Sequence, residues 1–528
     1  MSIWNKKEWK TAIVTSSSPL YSALQGIYRS TETESIFYFP KTSIDSGTLR
    51  DLESFRVLKS REDEFDQILL AFEPDEEGEA EKAEFIKCFG KANYSEIDTK
   101  QNELKSVSQL KVREKAATAY AFRKQAAEEM NRKIQETLSK LGLSARYDYR
   151  IFPLLMEVYL RQKAAENVDA YQTVYVVHAK GKGGSDKRAI FQTYDKRICD
   201  MENAVVTICE VNKKRISRKA PKFYHTIEFL QDADAGGIRY HQAMTMIEML
   251  YRNRLIPFYR TDSVRITKPM KETIAKSTEL AFPTNAFFQY LHEQIKNREL
   301  PESCICDKNE ANGLCLKHTD AASLFSIYDM AEKEEKKLLE QLIRRQFAVY
   351  FEDAIEECYQ YTADCKGVSL HGEKSYLVQA GWKTAYGERS EPAGSLSKKE
   401  ELLVERVEKI PFAEQELMNF QSLCRKLKLF CCGDVYEILR ILEVFFHQQK
   451  NPWLIIESGY YLLNDEGKTF FANFEGKPQA FSLSVISYLW QLAEDAKDEK
   501  ISKETFRYLL KEKEDLLAAE LQQCMKNK

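Results

Sequence analysis

The sequence predicts a multidomain protein of the α/β plus α+β class. Three observations lead there. Strand–turn–helix units fill residues 9–100. A strongly helical stretch follows over 106–141, with Gly142 placed to cap it. Beyond it, strand-like alternation and amphipathic helices recur to the end of a 528-residue chain, long enough for about three or four domains.

The first element is "WKTAIVTSSS", an apolar strand running into a polar turn. "FDQILLAFEPDEEGEA" holds a second strand, Ile68 to Phe72, which runs into an acidic loop. The helix "AEKAEFIKCFG" follows and stops at Gly90. Such units suit a doubly wound sheet whose site lies at the carboxyl ends of its strands. Further on, "YQTVYVVHA" alternates like a strand and "KGKGGSDK" reads as a loop between strands. Its spacing is not that of a phosphate-cradling loop. Residues 241–254 and 329–349 read as amphipathic helices, 383–400 as a linker, and "WLIIESGYYLLNDEGKTFFANF" as a hairpin.

Composition limits the classes. Hydrophobic residues make up 43%, aromatics 12% and charged residues 30%, so real cores and wet surfaces are both expected. No stretch approaches the ~20 apolar residues of a membrane helix, and the N-terminus lacks an apolar signal core. A soluble, cytoplasmic protein with no membrane partner is expected. Twelve cysteines without a framework pattern fit a reducing compartment. The net charge of −3 shows no overall basic surplus, so any grip on a phosphate backbone has to come from a local basic groove.

Three constellations could carry chemistry. Glu73, Asp75 and Glu77 alternate directly after a strand and could converge on Mg²⁺, or form a solvated acidic loop. In "LIPFYRTDSVRIT", Tyr259 stands beside Arg260. A tyrosine can form covalent intermediates, and an arginine can stabilise a transferring phosphoryl group. The other reading is a turn in which Thr261 or Asp262 caps the next segment. Cys304, Cys306, Cys315 and His318 are zinc-ligand types in a C-x-C-x8-C-x2-H spacing. That is not the usual paired-knuckle pattern, and reduced cysteines in a loop are the other reading.

The order of these features carries a resemblance. A strand into "TSSSP" precedes "LLAFEPDEEGEA", "YSEID", "LSARYDYRIFPLLMEVYLRQ", "PKFYHTIEFLQDADA" and "MTMIEMLYRNRLIPFYRTDSVRIT". Later come "LKHTDAA", "LLEQLIRRQFAVYF" and "AGWKTAYGE". Over roughly residues 9–390 the series resembles the type IA DNA topoisomerases. The last ~100 residues carry no matching motif. The resemblance implies a leading Toprim-like doubly wound domain followed by a toroidal arrangement. The expected divisions are a Toprim-like domain over 1–105, a helical domain over 106–205, and a β-rich arch over 206–235 and 345–395. A tyrosine gate domain is expected over 236–344, and an unassigned α+β region over 396–528 as a candidate site for a protein partner.

The resemblance also implies chemistry: attack by a tyrosine on single-stranded DNA, a 5′-phosphotyrosine link, and resealing supported by Mg²⁺ on the acidic triad, with no nucleotide cofactor. Several positions depart from the pattern. Anchored on "RTDS", the expected tyrosine position holds Phe258, and Tyr259 lies one place later; Arg260 keeps its place. Ser17 stands where a glutamate is expected and Tyr21 where a lysine is expected. Serine cannot carry the proton, and tyrosine cannot supply the positive charge. Arg146, Arg150 and His318 are the counterparts of DNA-contacting residues. The expected function is therefore a topoisomerase-like protein that binds single-stranded DNA with impaired or lost cleavage. The competing functions are an active enzyme using Tyr259 in a shifted register and a protein-interaction module that does not act on DNA.

Overall fold

The computed structural model describes residues 10–28, 34–40, 48–100, 107–110, 113–143, 145–166, 173–182, 187–279, 285–307, 311–317, 328–391, 394–411, 417–431, 433–447, 451–474 and 478–526. The sequence-predicted loop over 180–187 and His318 fall wholly or in part outside them.

The N-terminal unit is a five-stranded sheet in the order β2-β1-β3-β4-β5. It comprises β1 (Thr11–Thr15), β2 (Glu34–Tyr38), β3 (Gln67–Leu70), β4 (Tyr94–Ile97) and β5 (Val107–Gln109). The first four run parallel, and β5 closes the edge antiparallel to β4. β1 and β3 are buried along their whole length. That explains why they read as continuous apolar runs, as strands covered on both faces do. The covering helices are α1 (Ser18–Tyr28), α2 (Glu53–Ser60) and α3 (Glu76–Phe89), the last ending at Gly90 with φ +99°. On one face Phe39, Phe55, Phe85 and Phe89 interlock, with ring centroids 5.5–6.3 Å apart.

The helix expected from residue 106 begins later. β5 takes the first residues, and α4 runs over Glu114–Lys140. With α5 (Phe152–Glu166) it forms a helical layer. Its partners come from the far end of the chain, as described below.

A closed six-stranded barrel follows in the order β11-β12-β7-β6-β13-β8. Its strands are β6 (Thr173–Gly181), β7 (Arg188–Thr193), β8 (Val205–Arg218), β11 (Ala354–Cys365), β12 (Val368–Gln379) and β13 (Glu401–Pro411). The strands over 173–193, grouped with the preceding helices in the sequence reading, therefore belong with the β-rich unit. So does the strand over 401–411. Phe191, Val206, Leu370 and Leu402 fill the interior. Part of the 383–400 stretch read as a linker is a helical turn, Gly381–Tyr386, packed on the rest of the fold through Ala385.

Between the two halves of the barrel lie α6 (Thr226–Ala235), α7 (Tyr240–Arg252), α8 (Lys268–Glu279), α9 (Ala286–Ile295) and α10 (Lys333–Ala348). The short parallel pair β9 (Ile266–Thr267) and β10 (Ile305–Cys306) sits among them.

The last segment contains α11 (Phe420–Phe430), α12 (Val435–Phe446), α13 (Asp465–Ala472), α14 (Ser484–Lys497) and α15 (Lys503–Lys526). A small sheet of β14 (Met418–Asn419), β15 (Leu454–Glu457) and β16 (Tyr460–Leu463) accompanies them. The expected hairpin is real but stops at Leu463. Asn464 then caps α13 by accepting a hydrogen bond from the Gly467 amide at 2.9 Å, so the chain turns helical. This segment shares one core with α4 and α5: Phe122 meets Phe506 at 4.7 Å, and Phe152 meets Phe470, Phe471 and Phe481 at 5.6–5.8 Å. Tyr147 donates to the Ala480 carbonyl at 2.8 Å and Gln162 accepts from the Leu463 amide at 2.9 Å. The residues over 417–526 complete the helical layer begun at 113.

The candidate zinc ligands are only partly placed, since His318 falls outside the described residues. Cys304 and Cys315 lie in a core with Phe223, Ile266, Met270 and Val349. Burial pushes both thiols up, Cys315 to about 12. No group of three ligand-type side chains that includes Cys304, Cys306 or Cys315 gathers among the described residues. The expected zinc content of the purified chain is far below one per chain, and a chelator should leave its melting temperature unchanged. Stoichiometric zinc in elemental analysis would contradict this.

Candidate functional site

The site begins where β3 ends. The chain passes through Glu73 and Pro74 to Asp75, which caps α3 by accepting from the Gly78 amide at 2.8 Å. A Cβ on residue 78 would lie 2.1 Å from the Glu73 carbonyl oxygen, so only glycine allows the acidic turn to fold back this tightly. β1 lies beside β3 in the sheet and delivers Ser17 to the same place. The Ser17 hydroxyl donates to the Glu73 carboxylate and accepts from the Leu20 amide at 3.3 Å, capping α1. Burial raises the Glu73 pKa to about 7, with the Ser17 hydrogen bond opposing the shift and Asp75 adding to it. Ser17 therefore holds a carboxylate instead of supplying one. Tyr21, at the expected lysine position, lies with its ring centroid 5.2 Å from that of Tyr38.

The tyrosine-bearing stretch approaches this turn. Phe258 is 6% exposed and Tyr259 4%. With Tyr251 they form an aromatic trio, centroids 5.4–5.8 Å apart. Thr226 fixes the backbone: its hydroxyl donates to the Tyr259 carbonyl at 2.5 Å and accepts from the Thr261 amide at 2.9 Å. The Phe258 amide donates to the Lys100 carbonyl at 3.3 Å. Arg260 stands over the Tyr259 ring, 5.6 Å from its centroid. It also reaches the acidic turn, with Nη1 3.7 Å from Asp75 Oδ2. Burial pushes the Tyr259 phenol well up; Arg260 opposes this, and Glu73, Glu248 and Asp75 reinforce it. The structure thus brings Tyr259 and Arg260 to the acidic turn. It also buries Phe258 alongside them.

Two further groups reach the third carboxylate, and sequence reasoning missed both. Tyr120 on α4 donates to Glu77 Oε1 at 2.7 Å. Arg440 on α12 places Nη2 3.7 Å from Glu77 Oε2, with its guanidinium 5.0 Å over the Tyr120 ring. The detectable signal was Glu437 and Arg440, three residues apart in the mostly apolar run "VYEILRILEVFF", a spacing that pairs them on one helix face. Tyr251 was missed as well: it is fully buried, and its phenol is pushed up by burial first and by Glu73 second.

Glu77, Tyr120, Arg260, Arg440 and Arg150 line one pocket of about 460 Å³. Asn131, Arg150 and Val444 are shared with a second pocket of about 470 Å³, lined by Arg146, Tyr147 and Trp453. The two pockets adjoin at these shared residues. Arg150 is held by Asp148 through bonds at 3.0 and 2.8 Å, and Arg146 is exposed at the far end.

The acidic triad does not fit Mg²⁺ in this arrangement. Asp75 accepts the helix-cap hydrogen bond and lies 3.7 Å from Arg260, Glu77 accepts from Tyr120 and lies 3.7 Å from Arg440, and Glu73 accepts from Ser17 through Oε1 while its buried Oε2 has no hydrogen-bond partner. No metal-holding group of carboxylates, histidines or cysteines occurs among the described residues.

A family described as DNA topoisomerase matches residues 151–416, just over half of the chain. DNA topoisomerase 1 of Archaeoglobus fulgidus is 23% identical over 266 residues, which cover 48% of this chain and 38% of that protein. The matched stretch thus spans well under half the length of that relative. The structure of full-length topoisomerase I from Thermotoga maritima superposes with a TM-score of 0.66 at 13% identity, covering 95% of this chain and 89% of that one. The mixed α/β multidomain fold is accordingly that of a toroidal type IA arrangement. The chain belongs to the type IA DNA topoisomerase family.

Proposed function

We propose that this protein binds single-stranded DNA along the arginine-lined pockets and does not carry out strand cleavage at the rate of a working topoisomerase. The observation that carries the second half is the state of the tyrosine site. A nucleophilic tyrosine needs a group to take its proton and a setting that favours the phenolate. Tyr259 is sealed at 4% exposure, its phenol is pushed well up, and Ser17 holds the position of the proton acceptor. Glu73 sits close by, but burial keeps it half-protonated near neutral pH. Binding is supported separately. Arg146, Arg150, Arg260 and Arg440 line the two adjoining pockets, and Trp453 offers a stacking face beside them.

One observation favours a second reading, an active enzyme using Tyr259. Arg260 bridges the tyrosine ring and Asp75, which is where a phosphoryl-stabilising cation would be wanted. Loss of activity and retention of binding are separable. A fluorescent oligothymidylate should bind with an affinity that falls linearly with log salt. Arg146→Ala should weaken it several-fold and flatten the slope by about 0.7. Supercoiled plasmid incubated with the same preparation should stay supercoiled. Absence of oligonucleotide binding at low salt would sink the reading of the groove, and plasmid relaxation would sink the reading of the tyrosine site.

Glu73 supplies a pH test. Its folded pKa, about 7, lies above the ordinary 4.5, so the folded chain retains a proton that the unfolded chain releases between those values. The stabilising contribution is present below the lower value and is lost as pH rises through the upper one. Glu73→Gln should therefore be more stable than the parent by roughly 1–3 kcal/mol at about pH 8 and nearly equal to it at about pH 4.5. Chemical denaturation at the two pH values measures this; equal stability at the higher pH would contradict the burial of the charge.

A further inference from the structure

We propose that Arg440, carried to the acidic turn by the C-terminal segment, takes the place beside Glu77 that a divalent cation would need, and is itself the group that receives a phosphate of bound DNA. The phosphate part rests on the reading that the groove takes single-stranded DNA; the exclusion of the cation does not.

Four observations carry it. The Arg440 side chain is 17% exposed and opens into the same pocket as Arg260 and Glu77. Its position is built: Nη1 lies 3.6 Å from Glu437 Oε2, Nη2 lies 3.7 Å from Glu77 Oε2, and the Tyr120 ring supports the guanidinium from below. At those separations the contacts are ion pairs rather than tight hydrogen bonds. N–H groups of the fork thus stay available for a planar, bidentate partner, the geometry that suits phosphate. Arg260 faces it from the other side of the turn, 3.7 Å from Asp75. Two fixed monocations therefore flank the carboxylates, and a divalent ion entering there would meet their repulsion.

The arrangement also answers the vacancy at residue 21. A lysine expected on α1 is a tyrosine, and the positive charge arrives instead from α12, near the other end of the chain.

Manganese titration followed by electron paramagnetic resonance tests the first part. The parent chain should take up no Mn²⁺ that depends on Glu77, so the parent and Glu77→Gln should titrate alike. Arg440→Gln should gain one bound ion, lost again in the double variant Arg440→Gln/Glu77→Gln. A parent chain holding Mn²⁺ that Glu77→Gln abolishes, or no gain in Arg440→Gln, overturns the proposal. Oligothymidylate binding by fluorescence anisotropy tests the second part. EDTA should change the parent affinity less than about twofold. Arg440→Gln should weaken it by about tenfold and flatten the salt slope by about 0.7, while Arg440→Lys, which keeps the charge but loses the fork, should bind between the parent and Arg440→Gln and keep the parent's salt slope. Unchanged affinity in Arg440→Gln overturns the assignment of the phosphate. A parent chain that binds no oligonucleotide overturns the DNA reading, and the manganese titration still decides whether Arg440 replaces the cation.

Discussion

The acidic turn after β3 is the constraint on which the site depends. Four carboxylates within five residues, Glu73, Asp75, Glu76 and Glu77, cannot be packed against neighbouring layers unless each is matched. Breaking one side of a buried ion pair costs on the order of 3–5 kcal/mol, because the other charge is left without a partner. Here the partners come from four parts of the chain. Ser17 answers Glu73 from the turn before α1, Arg260 answers Asp75 from the loop after α7, Tyr120 and Arg123 answer Glu77 and Glu76 from α4, and Arg440 joins them from α12. The chemistry-bearing turn is thus also where the N-terminal sheet, the tyrosine segment and the helical layer meet. In this chain the carboxylates of the turn are met by its own side chains.

That arrangement changes the meaning of the tyrosine segment. The sequence leaves a choice between Phe258 in register and Tyr259 out of register. In the structure both rings are buried in one trio with Tyr251, and the backbone is pinned by Thr226 on one side and Lys100 on the other. Tyr259 lies near the carboxylates, and burial pushes its phenol well up.

Much of the N-terminal unit was legible because its signals are local. β1 and β3 are continuous apolar runs, Gly90 and Gly142 mark helix ends, and the acidic turn follows a strand directly. The order of motifs carried the family, even though several of the expected residues had changed. What was not legible was long-range. Nothing local in "DVYEILRILEVFF" says that Arg440 meets Glu77, and the last hundred residues looked detached because their partners, Phe122 and Phe152, lie hundreds of positions earlier. β5 was absorbed into the following helix because three residues cannot establish an alternation. The barrel strands over 173–193 and 401–411 were parted from their partners for the same reason as Arg440: strand pairing between distant segments leaves no mark on either one alone.

We propose that burial silences Tyr259 although it sits beside Arg260 and the acidic turn. The most direct measurement is denaturant trapping of a covalent protein–DNA adduct on end-labelled single-stranded DNA, with Mg²⁺ present and absent. The expected result is no labelled protein band from the parent chain under either condition. A band that persists in denaturant and vanishes in Tyr259→Phe would contradict the claim and restore Tyr259 as a nucleophile.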